Sequence, residues 1–489
     1  MEATLCHQLS GMLLFAAVGM AAVVDTIDVD LTPDTLNFAG KASGFHGSFS
    51  DAVPESLLAP LKPKLVRRYN DRTWELAERL GTTVHVLLPG YDYGHNNDWQ
   101  GWVRHVTELV NTARAHRRTV DYAYDIWNEP DKPNFWQRTP EEFYDWWRRT
   151  HVLLRSLDPD ARIVGPSAAD FAWITGFLTY AKDNDCVPDV LSWHEMKIAG
   201  KYIRSHVLSA ANFMKMHGIA VQGFSINEYN GWKPNGEDVW PGHAIGYFAT
   251  MERDSRILHA AKAYYRDRGG DPSNLNGLLT HEDKLPRSMW WAYYEYAQLQ
   301  GTLARVTRKQ NIDAVVVIDE AGQRVRGVFG RFGGFTEEPT GGIDVRLRNT
   351  GRSGVLPAAG TVRVVVRHIP NSGASALQSP TTVVDRDYTV SSGSLVVTVP
   401  DVGPRDAFVM TIQPKGPVTG INYPAGDQRL TVHPLAHAET HGHLLGLLNL
   451  GGRHAAFSHH AVGMRAAGVY IRTHDGLTML KTRRQHLSP

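Results

Sequence analysis

The chain has 489 residues, which is long enough for one large barrel and a second domain. Its 51 Lys and Arg residues nearly balance its 50 Asp and Glu residues, so its charge gives no reason to expect binding to nucleic acid or to an anionic membrane. Only two cysteines are present, Cys6 and Cys186, and they exclude a disulfide framework.

The N-terminus contains an apolar run at residues 11–24 that is too short to span a bilayer. It resembles the core of a signal peptide, with the small residues Ala21 and Ala22 where cleavage is expected. We therefore expect residues 1–24 to be a signal peptide and the protein to be secreted. A cytoplasmic enzyme with an apolar N-terminus is the alternative.

Short apolar runs then alternate with longer amphipathic stretches, as they do in parallel α/β folds. The predicted helices include residues 141–157, 202–217, 243–253 and 287–301. The predicted strands are residues 43–47, 64–68, 83–88, 121–127, 161–164, 190–193, 223–226 and 275–279. Eight such units predict a (β/α)8 TIM barrel over residues 25–302.

The period changes after residue 303, where short β-rich runs are separated by Gly, Pro and Ser. This spacing predicts an antiparallel β-sandwich over residues 303–415. All 13 Trp residues fall between Trp74 and Trp291, which also places a boundary near residue 300. Tryptophan suits a carbohydrate ligand because sugar faces stack on aromatic rings, but filling a large core is the simpler explanation.

Residues 416–489 have no convincing period, and nine of the 23 histidines lie in the last 57 residues. His437, His441 and His443 could form a metal cluster. A poorly ordered, His-rich extension is the interpretation that we favour.

Two apolar runs end abruptly in Asn-Glu, at Asn128-Glu129 and at Asn227-Glu228. The glutamates are 99 residues apart in the sequence, about three strand–helix units. All strands of a parallel barrel end on the same face, where active sites lie. Two carboxylates on that face can cleave a glycosidic bond, and Asn128 can hydrogen-bond a sugar hydroxyl. A surface loop that happens to read Asn-Glu-Pro is the alternative for either position alone.

These motifs carry a family resemblance. The stretch DIWNEPD from Asp125, followed by SINEY from Ser225, resembles the retaining glycoside hydrolases of clan A. Residues 127–167 are most similar to glycoside hydrolase family 39, which contains β-xylosidases and α-L-iduronidases. The resemblance covers about residues 40–415. It implies that Glu129, at the fourth barrel strand, is the acid/base and that Glu228, at the seventh, is the nucleophile.

The same resemblance implies further site residues. Clan members place an Arg near the end of the second strand, for which Arg67 and Arg68 compete, and we favour Arg67. In the stretch SWHEM, His194 matches the family pattern, although a structural histidine is the alternative, while Met196 replaces a tyrosine that usually contacts the nucleophile. Tyr229 or another tyrosine could substitute for that tyrosine.

The resulting hypothesis is a retaining glycoside hydrolase, a β-xylosidase-like exo-glycosidase that acts on an oligosaccharide or glycoside by double displacement. Glu129 and Glu228 would be catalytic. The expected substrate-binding residues are Asn128, His194, Asn227, Tyr229 and Arg67. No cofactor or metal is expected, and the oligomeric state is open.

Two rival hypotheses come from other classes. Met196 and the unusual tail are compatible with a catalytically silent carbohydrate-binding barrel. A metal-dependent hydrolase could use His194, Glu195, His281 and Glu282, although their spacing matches no compact ligand motif.

Overall fold

The computed structural model describes residues 23–68, 72–196, 200–231, 240–264, 270–309, 311–332, 340–415, 469–473 and 476–480. The chain divides into two compact units, Met1–Pro417 and Val418–Pro489. No helix among the described residues is long and apolar enough to cross a membrane. The expected signal peptide, including Cys6, lies outside the described residues except at its last two positions. Cys186 is a buried free thiol.

Eight parallel strands form a closed barrel, and pairing of Phe45 with Lys262 closes the ring. The barrel strands are β2 (Gly44–His46), β3 (Leu65–Arg67), β4 (Thr83–Leu87), β5 (Tyr122–Asp125), β6 (Arg162–Ala168), β7 (Val190–Glu195), β8 (Gly223–Tyr229) and β9 (Ile257–Lys262). The predicted TIM-type barrel is therefore confirmed.

Nine α-helices occur among the described residues. They are α1 (Glu55–Leu58), α2 (Thr73–Leu80), α3 (Tyr91–His95), α4 (Trp99–Ala115), α5 (Pro140–Leu157), α6 (Ile174–Asp183), α7 (Ile203–His217), α8 (Pro241–Glu252) and α9 (Ser288–Ala297). Helix α5 shows how the sequence fixes such an element. Thr139 and Glu142 form a capping box at its start, and Pro140 occupies the first turn.

The tryptophans mainly build the core of the barrel unit. Six of them are fully buried: Trp102, Trp127, Trp146, Trp147, Trp193 and Trp290. Several also pack edge to face, as Trp127 does on Trp136 at 5.5 Å between ring centroids. Core filling therefore accounts for most of the aromatic richness, and sugar stacking is not needed to explain it.

The eighth barrel strand was predicted at the wrong place. It is β9, Ile257–Lys262, and residues 275–279 are not a barrel strand. Leu275, Asn276 and Gly277 all have positive φ angles of 55°, 56° and 87°. Three successive left-handed residues cannot continue a β-strand, so this apolar run forms turns instead.

A nine-stranded sheet follows the barrel in sequence but also includes the first strand, β1 (Val23–Asn37). Its other strands are β10 (Thr302–Thr307), β11 (Ile312–Asp319), β12 (Arg324–Arg331), β13 (Gly342–Arg348), β14 (Gly360–Ile369), β15 (Thr381–Val390), β16 (Ser394–Val399) and β17 (Ala407–Pro414). The order is β15-β14-β17-β12-β11-β10-β1-β13-β16.

Two predictions about this region need correction. Residues 25–37 belong to the sheet and not to the barrel. The sheet is mixed because β1 pairs in parallel with β13, whereas it pairs antiparallel with β10. The predicted purely antiparallel β-sandwich is thus not confirmed.

The second unit is described only at β18 (Val469–Thr473) and β19 (Gly476–Leu480), which pair antiparallel. The predicted poor order of residues 416–489 and the histidines at 437, 441 and 443 lie outside the described residues.

Candidate active site

The two Asn-Glu glutamates lie at neighbouring places on the face where the barrel strands end. Glu129 follows β5, and its backbone N–H donates to the carbonyl of Ser167, next to the end of β6, at 2.9 Å. The φ angle of Glu129 is +46°, a left-handed conformation that is uncommon for a residue with a side chain. Backbone conformations of this kind cluster at functional sites.

Glu228 lies within β8, where the strand contains an irregularity. The register between β7 and β8 shifts between Ser192 and His194, with one more residue on β8 than on β7. A β-bulge of this kind disrupts the alternation of side chains. It explains why consecutive residues Asn227 and Glu228 both contact side chains inside the barrel while Tyr229 does not.

The two carboxylates face each other. One carboxylate oxygen of Glu129, one of Glu228 and a ring nitrogen of His194 all lie within 4.8 Å of one another. His194, on β7, places Nδ1 2.9 Å from Oε1 of Glu129 and Nε2 3.9 Å from Oε1 of Glu228. The structure therefore brings together the three residues that the sequence motifs selected.

Glu228 is surrounded by groups that favour its charged form. Nη1 of Arg67 lies 2.5 Å from its Oε1, and Nδ1 of His46 lies 2.8 Å from the same oxygen. Burial by itself raises the pKa of the Glu228 carboxyl, but His194, His46 and Arg67 together outweigh burial and hold that pKa well below its usual range. Glu228 is therefore ionised at neutral pH.

Arg67 and Arg68, the two candidates near the end of the second barrel strand, have different environments. Arg67 is completely buried, and its Nε also contacts Oδ2 of Asp125 at 2.6 Å. Arg68 is exposed. Arg67 is thus the arginine beside Glu228, and its buried guanidinium pairs with that carboxylate. Its contact with a substrate stays a prediction.

Asn128 and Asn227 occupy equivalent places in the two motifs but differ in their surroundings. Asn128 is nearly buried, and its Oδ1 has no hydrogen-bond partner among the described residues. Asn227 is completely buried and donates from Nδ2 to Asp125 and to Ser167, at 2.9 and 2.7 Å. Oδ1 of Asn227 likewise has no hydrogen-bond partner among the described residues, so contact of either asparagine with a substrate stays a prediction.

Tyr229 points away from the site. Its hydroxyl donates to the Ala42 carbonyl at 2.6 Å and lies 2.5 Å from the Tyr293 hydroxyl of α9. Both contacts of the hydroxyl are therefore with the protein itself, and the expected roles of Tyr229 in substrate binding or in place of the tyrosine absent at Met196 stay predictions. Tyr91, at the start of α3, packs on Trp127 at 5.3 Å between ring centroids. Burial raises the pKa of Tyr91 to about 12, with Arg67 opposing and Glu228 adding to the effect.

Two site residues were not selected from the sequence. His46 ends the first barrel strand, and Asp125 ends the fourth, three residues before Asn128. Asp125 stands inside the quoted motif, so its proximity to Glu129 was a usable signal. His46 carries no motif, and only its position at a strand end could have indicated it.

Glu129, His194 and Glu228 form the one group found among the described residues whose ligand atoms could hold a metal ion. The proposed set of His194, Glu195, His281 and Glu282 does not assemble. Glu195 instead accepts from the Trp193 indole at 2.7 Å and lies 2.7 Å from Nδ1 of His206, whereas Nδ1 of His281 lies 3.7 Å from Asp271.

Comparison with known proteins agrees with this geometry. Residues 91–222 match the family model of glycosyl hydrolases family 39. A 3-O-β-L-arabinopyranosyl-α-L-arabinofuranosidase of Bifidobacterium pseudocatenulatum is 23% identical over 82% of this chain and 49% of its own length. A β-xylosidase of Caldicellulosiruptor saccharolyticus is 29% identical over 20% of this chain and 21% of its own. The chain thus spans about half of the first relative and matches about a fifth of the second.

Solved structures share the fold. A protein of Neocallimastix frontalis aligns with a TM-score of 0.69 at 24% identity, over 80% of this chain and all of its own. A monomeric β-xylosidase of Caulobacter crescentus aligns with a TM-score of 0.57 at 14% identity, over 80% of this chain and all of its own. Over residues 91–222 the chain is thus similar to glycosyl hydrolases family 39, and the solved structures share its fold.

Proposed function

We propose that this chain is a retaining glycosidase in which Glu228 is the nucleophile and Glu129 is the acid/base. The observation that carries the proposal is the approach of the two carboxylates to within 4.8 Å, measured between their facing oxygens. Retaining enzymes hold their two carboxyl groups about 5–5.5 Å apart, whereas inverting enzymes separate them by about 6.5–9.5 Å to admit a water. The spacing here suits direct attack by a carboxylate.

The surroundings of the two glutamates support different roles. Arg67 and His46 contact Glu228 and keep it ionised, as a nucleophile must be. Among the described residues Glu129 contacts no arginine side chain and contacts one imidazole, His194. Paired carboxyl groups in different environments are the usual basis for dividing nucleophilic and acid/base work.

The reaction then proceeds in two steps. In the first, Glu228 attacks the anomeric carbon while protonated Glu129 gives its proton to the departing glycosidic oxygen, and a covalent glycosyl-enzyme forms. In the second, Glu129 as a base takes a proton from water, which attacks the same carbon and releases Glu228. Two displacements at one carbon retain its configuration.

The substrate we propose is a pentoside. The curated relatives are named as a β-xylosidase and as an arabinofuranosidase, and both names describe enzymes that act on pentose sugars. Asn128 and Asn227 are the residues we expect to bind sugar hydroxyls, since the buried Oδ1 of each has no partner among the described residues and an unpaired buried acceptor costs about 1–3 kcal/mol.

A panel of 4-nitrophenyl glycosides tests the proposal: β-D-xylopyranoside, α-L-arabinofuranoside, β-D-glucopyranoside, β-D-galactopyranoside and α-L-iduronide. We expect turnover of at least one pentoside and, by proton NMR of the first product, retention of anomeric configuration. An inverted first product would contradict the double displacement. Binding without turnover of any member would instead favour the silent carbohydrate-binding barrel.

Adding a chelator to this assay distinguishes metal-dependent hydrolysis from the two-glutamate mechanism. Arg67 contacts the Glu228 carboxylate, and a guanidinium repels a second cation beside it. We therefore expect incubation with EDTA to leave the rate unchanged. Loss of activity that Zn²⁺ restores would favour metal-dependent hydrolysis.

A further inference from the structure

A third carboxylate, Asp125, lies beneath the two glutamates and is completely buried. Its Oδ2 accepts from Nε of Arg67 at 2.6 Å and from Nδ2 of Asn227 at 2.9 Å, and its Oδ1 accepts from the hydroxyl of Ser167 at 2.7 Å. A buried carboxylate is expensive unless it is paired and hydrogen-bonded, and these three donors meet that need.

Two of the donors lead from Asp125 to Glu228. Arg67 uses Nε for Asp125 and Nη1 for Glu228, so one rigid guanidinium connects the two carboxylates. Asn227 precedes Glu228 in β8, and its side chain is fixed by Asp125 and Ser167. The position of Glu228 is therefore fixed in two ways: Arg67 holds its side chain, and the hydrogen bonds of Asn227 hold the preceding residue.

The third donor leads from Asp125 to Glu129. Ser167 accepts the backbone N–H of Glu129 through its own carbonyl, while its hydroxyl donates to Asp125 and its backbone N–H donates to the hydroxyl of Ser192 at 3.1 Å. Ser167, like Glu129, has a positive φ angle, +57°. Glu129 and Ser167 are thus two left-handed residues joined by a backbone hydrogen bond, and such conformations persist only where the surrounding structure fixes them.

We propose that Asp125 is a positioning residue that sets the separation of Glu129 and Glu228 and balances the charge of Arg67. The inference rests on the proposed function for its kinetic consequences but not for its geometry. Asp125 has no exposed surface, so it acts through its side-chain partners Arg67, Asn227 and Ser167. Glu129 follows β5 and Glu228 lies in β8, with β6 and β7 between these two strands. Asp125 contacts residues that contact or adjoin each glutamate.

The test compares Asp125→Ala and Asp125→Asn with the matched pair Asp158→Ala and Asp158→Asn. Asp158 is also a buried carboxylate, and it accepts from the hydroxyls of Tyr122 and Tyr124 at 2.7 and 3.0 Å. Its partners do not include either glutamate. Loss of thermal stability is expected in both pairs, so stability alone cannot separate positioning from packing.

Kinetics separate the two roles. For the 2,4-dinitrophenyl form of whichever glycoside is turned over, we expect Asp125→Ala to lower kcat/KM about 10²-fold, because misplacement of a reacting group by about 1 Å costs roughly that factor. Asp125→Asn should lose less, since an amide oxygen can still accept from Arg67. Inhibition by the free sugar should be unchanged, and the Asp158 variants should keep kcat/KM.

Three results would contradict the proposed role of Asp125. An Asp125→Ala variant that folds and matches Asp158→Ala in kcat/KM would overturn it. If Asp125→Ala does not fold, an Asp125→Asn variant with wild-type kcat/KM would do the same. A crystal structure of the variant that folds supplies a readout that needs no activity. We expect altered contact between Arg67 and Glu228 or wider separation of the glutamates, and unchanged geometry would contradict the inference even if the wild type turns over no glycoside.

Discussion

Arg67 and Glu228 form an ion pair of 2.5 Å between strands of the barrel, and the guanidinium is completely buried. Low effective dielectric strengthens such a pair, and it is one of the interactions that keep the pKa of Glu228 well below its usual range. Activity that needs ionised Glu228 falls when pH drops through this pKa. In the proposed mechanism the pair therefore contributes to the acid limit of the reaction.

Replacing Arg67 should move that limit. In Arg67→Met, burial still raises the pKa of Glu228 but Arg67 no longer lowers it, so the acid limb of the kcat/KM profile should shift to higher pH. Arg67→Lys keeps a positive charge and should shift the limb less. The measurement is the pH dependence of kcat/KM for a 4-nitrophenyl glycoside.

A buried arginine of the sheet provides the control. Arg331 is also completely buried and pairs with Asp25 at 2.8 Å, so Arg331→Met should reduce stability and leave the acid limb in place. An acid limb that stays in place in Arg67→Met would show that Arg67 does not set the ionisation of Glu228.

The capping box of α5 should make a measurable contribution to stability. Oγ1 of Thr139 accepts from the Glu142 amide, and Glu142 accepts from the Thr139 amide at 2.9 Å. Thr139→Ala removes the first of these bonds and should lower the free energy of unfolding by about 1 kcal/mol. Thr112→Ala, at an exposed position within α4, should cost little. Urea denaturation measures both, and equal stability of the two variants would contradict the role of the cap.

The barrel could be predicted because its first seven strands are short apolar runs with polar ends. The eighth strand could not. Its sequence, ILHAAK from Ile257, contains a histidine and two alanines and has low β propensity, while the more apolar run at residues 275–279 forms turns. Pairing with Phe224 and Phe45 decides the outcome, and neither partner is near in sequence.

The site could be predicted as far as its motifs extend. Glu129, Glu228 and His194 meet as expected, but the side-chain directions of Asn227 and Tyr229 depend on a bulge that no local signal reveals. His46 reaches Glu228 only because the barrel closes. The mixed sheet was missed for the same reason, since β1 and β13 are more than 300 residues apart.

Glu228→Ala should abolish nearly all turnover, because no carboxylate remains to attack the anomeric carbon. Azide should partly restore turnover by entering the vacated space beside Arg67 and His46, whose contacts with Glu228 leave room for a small anion. The rescued glycosyl azide should have inverted configuration, since one displacement replaces two. NMR of the product measures this, and a retained azide product would mean that another residue is the nucleophile.

Glu129→Ala should affect substrates according to their leaving groups. A phenyl or alkyl glycoside needs a proton on the departing oxygen, so its kcat/KM should fall about 10²–10⁴-fold. The 2,4-dinitrophenolate leaving group departs without that proton, so kcat/KM for a 2,4-dinitrophenyl glycoside should change little. Hydrolysis of the glycosyl-enzyme should slow, because Glu129 also activates the water. Azide should accelerate that second step and give a product of retained configuration, opposite to the product from Glu228→Ala.

His194→Ala is a useful comparison, since the imidazole of His194 contacts Glu129 at 2.9 Å but has no carboxyl group to give or take the proton. It should lower the rates of both substrates without the steep dependence on leaving group. Equal losses for both substrates in Glu129→Ala, with no rescue by azide, would remove Glu129 from the acid/base role.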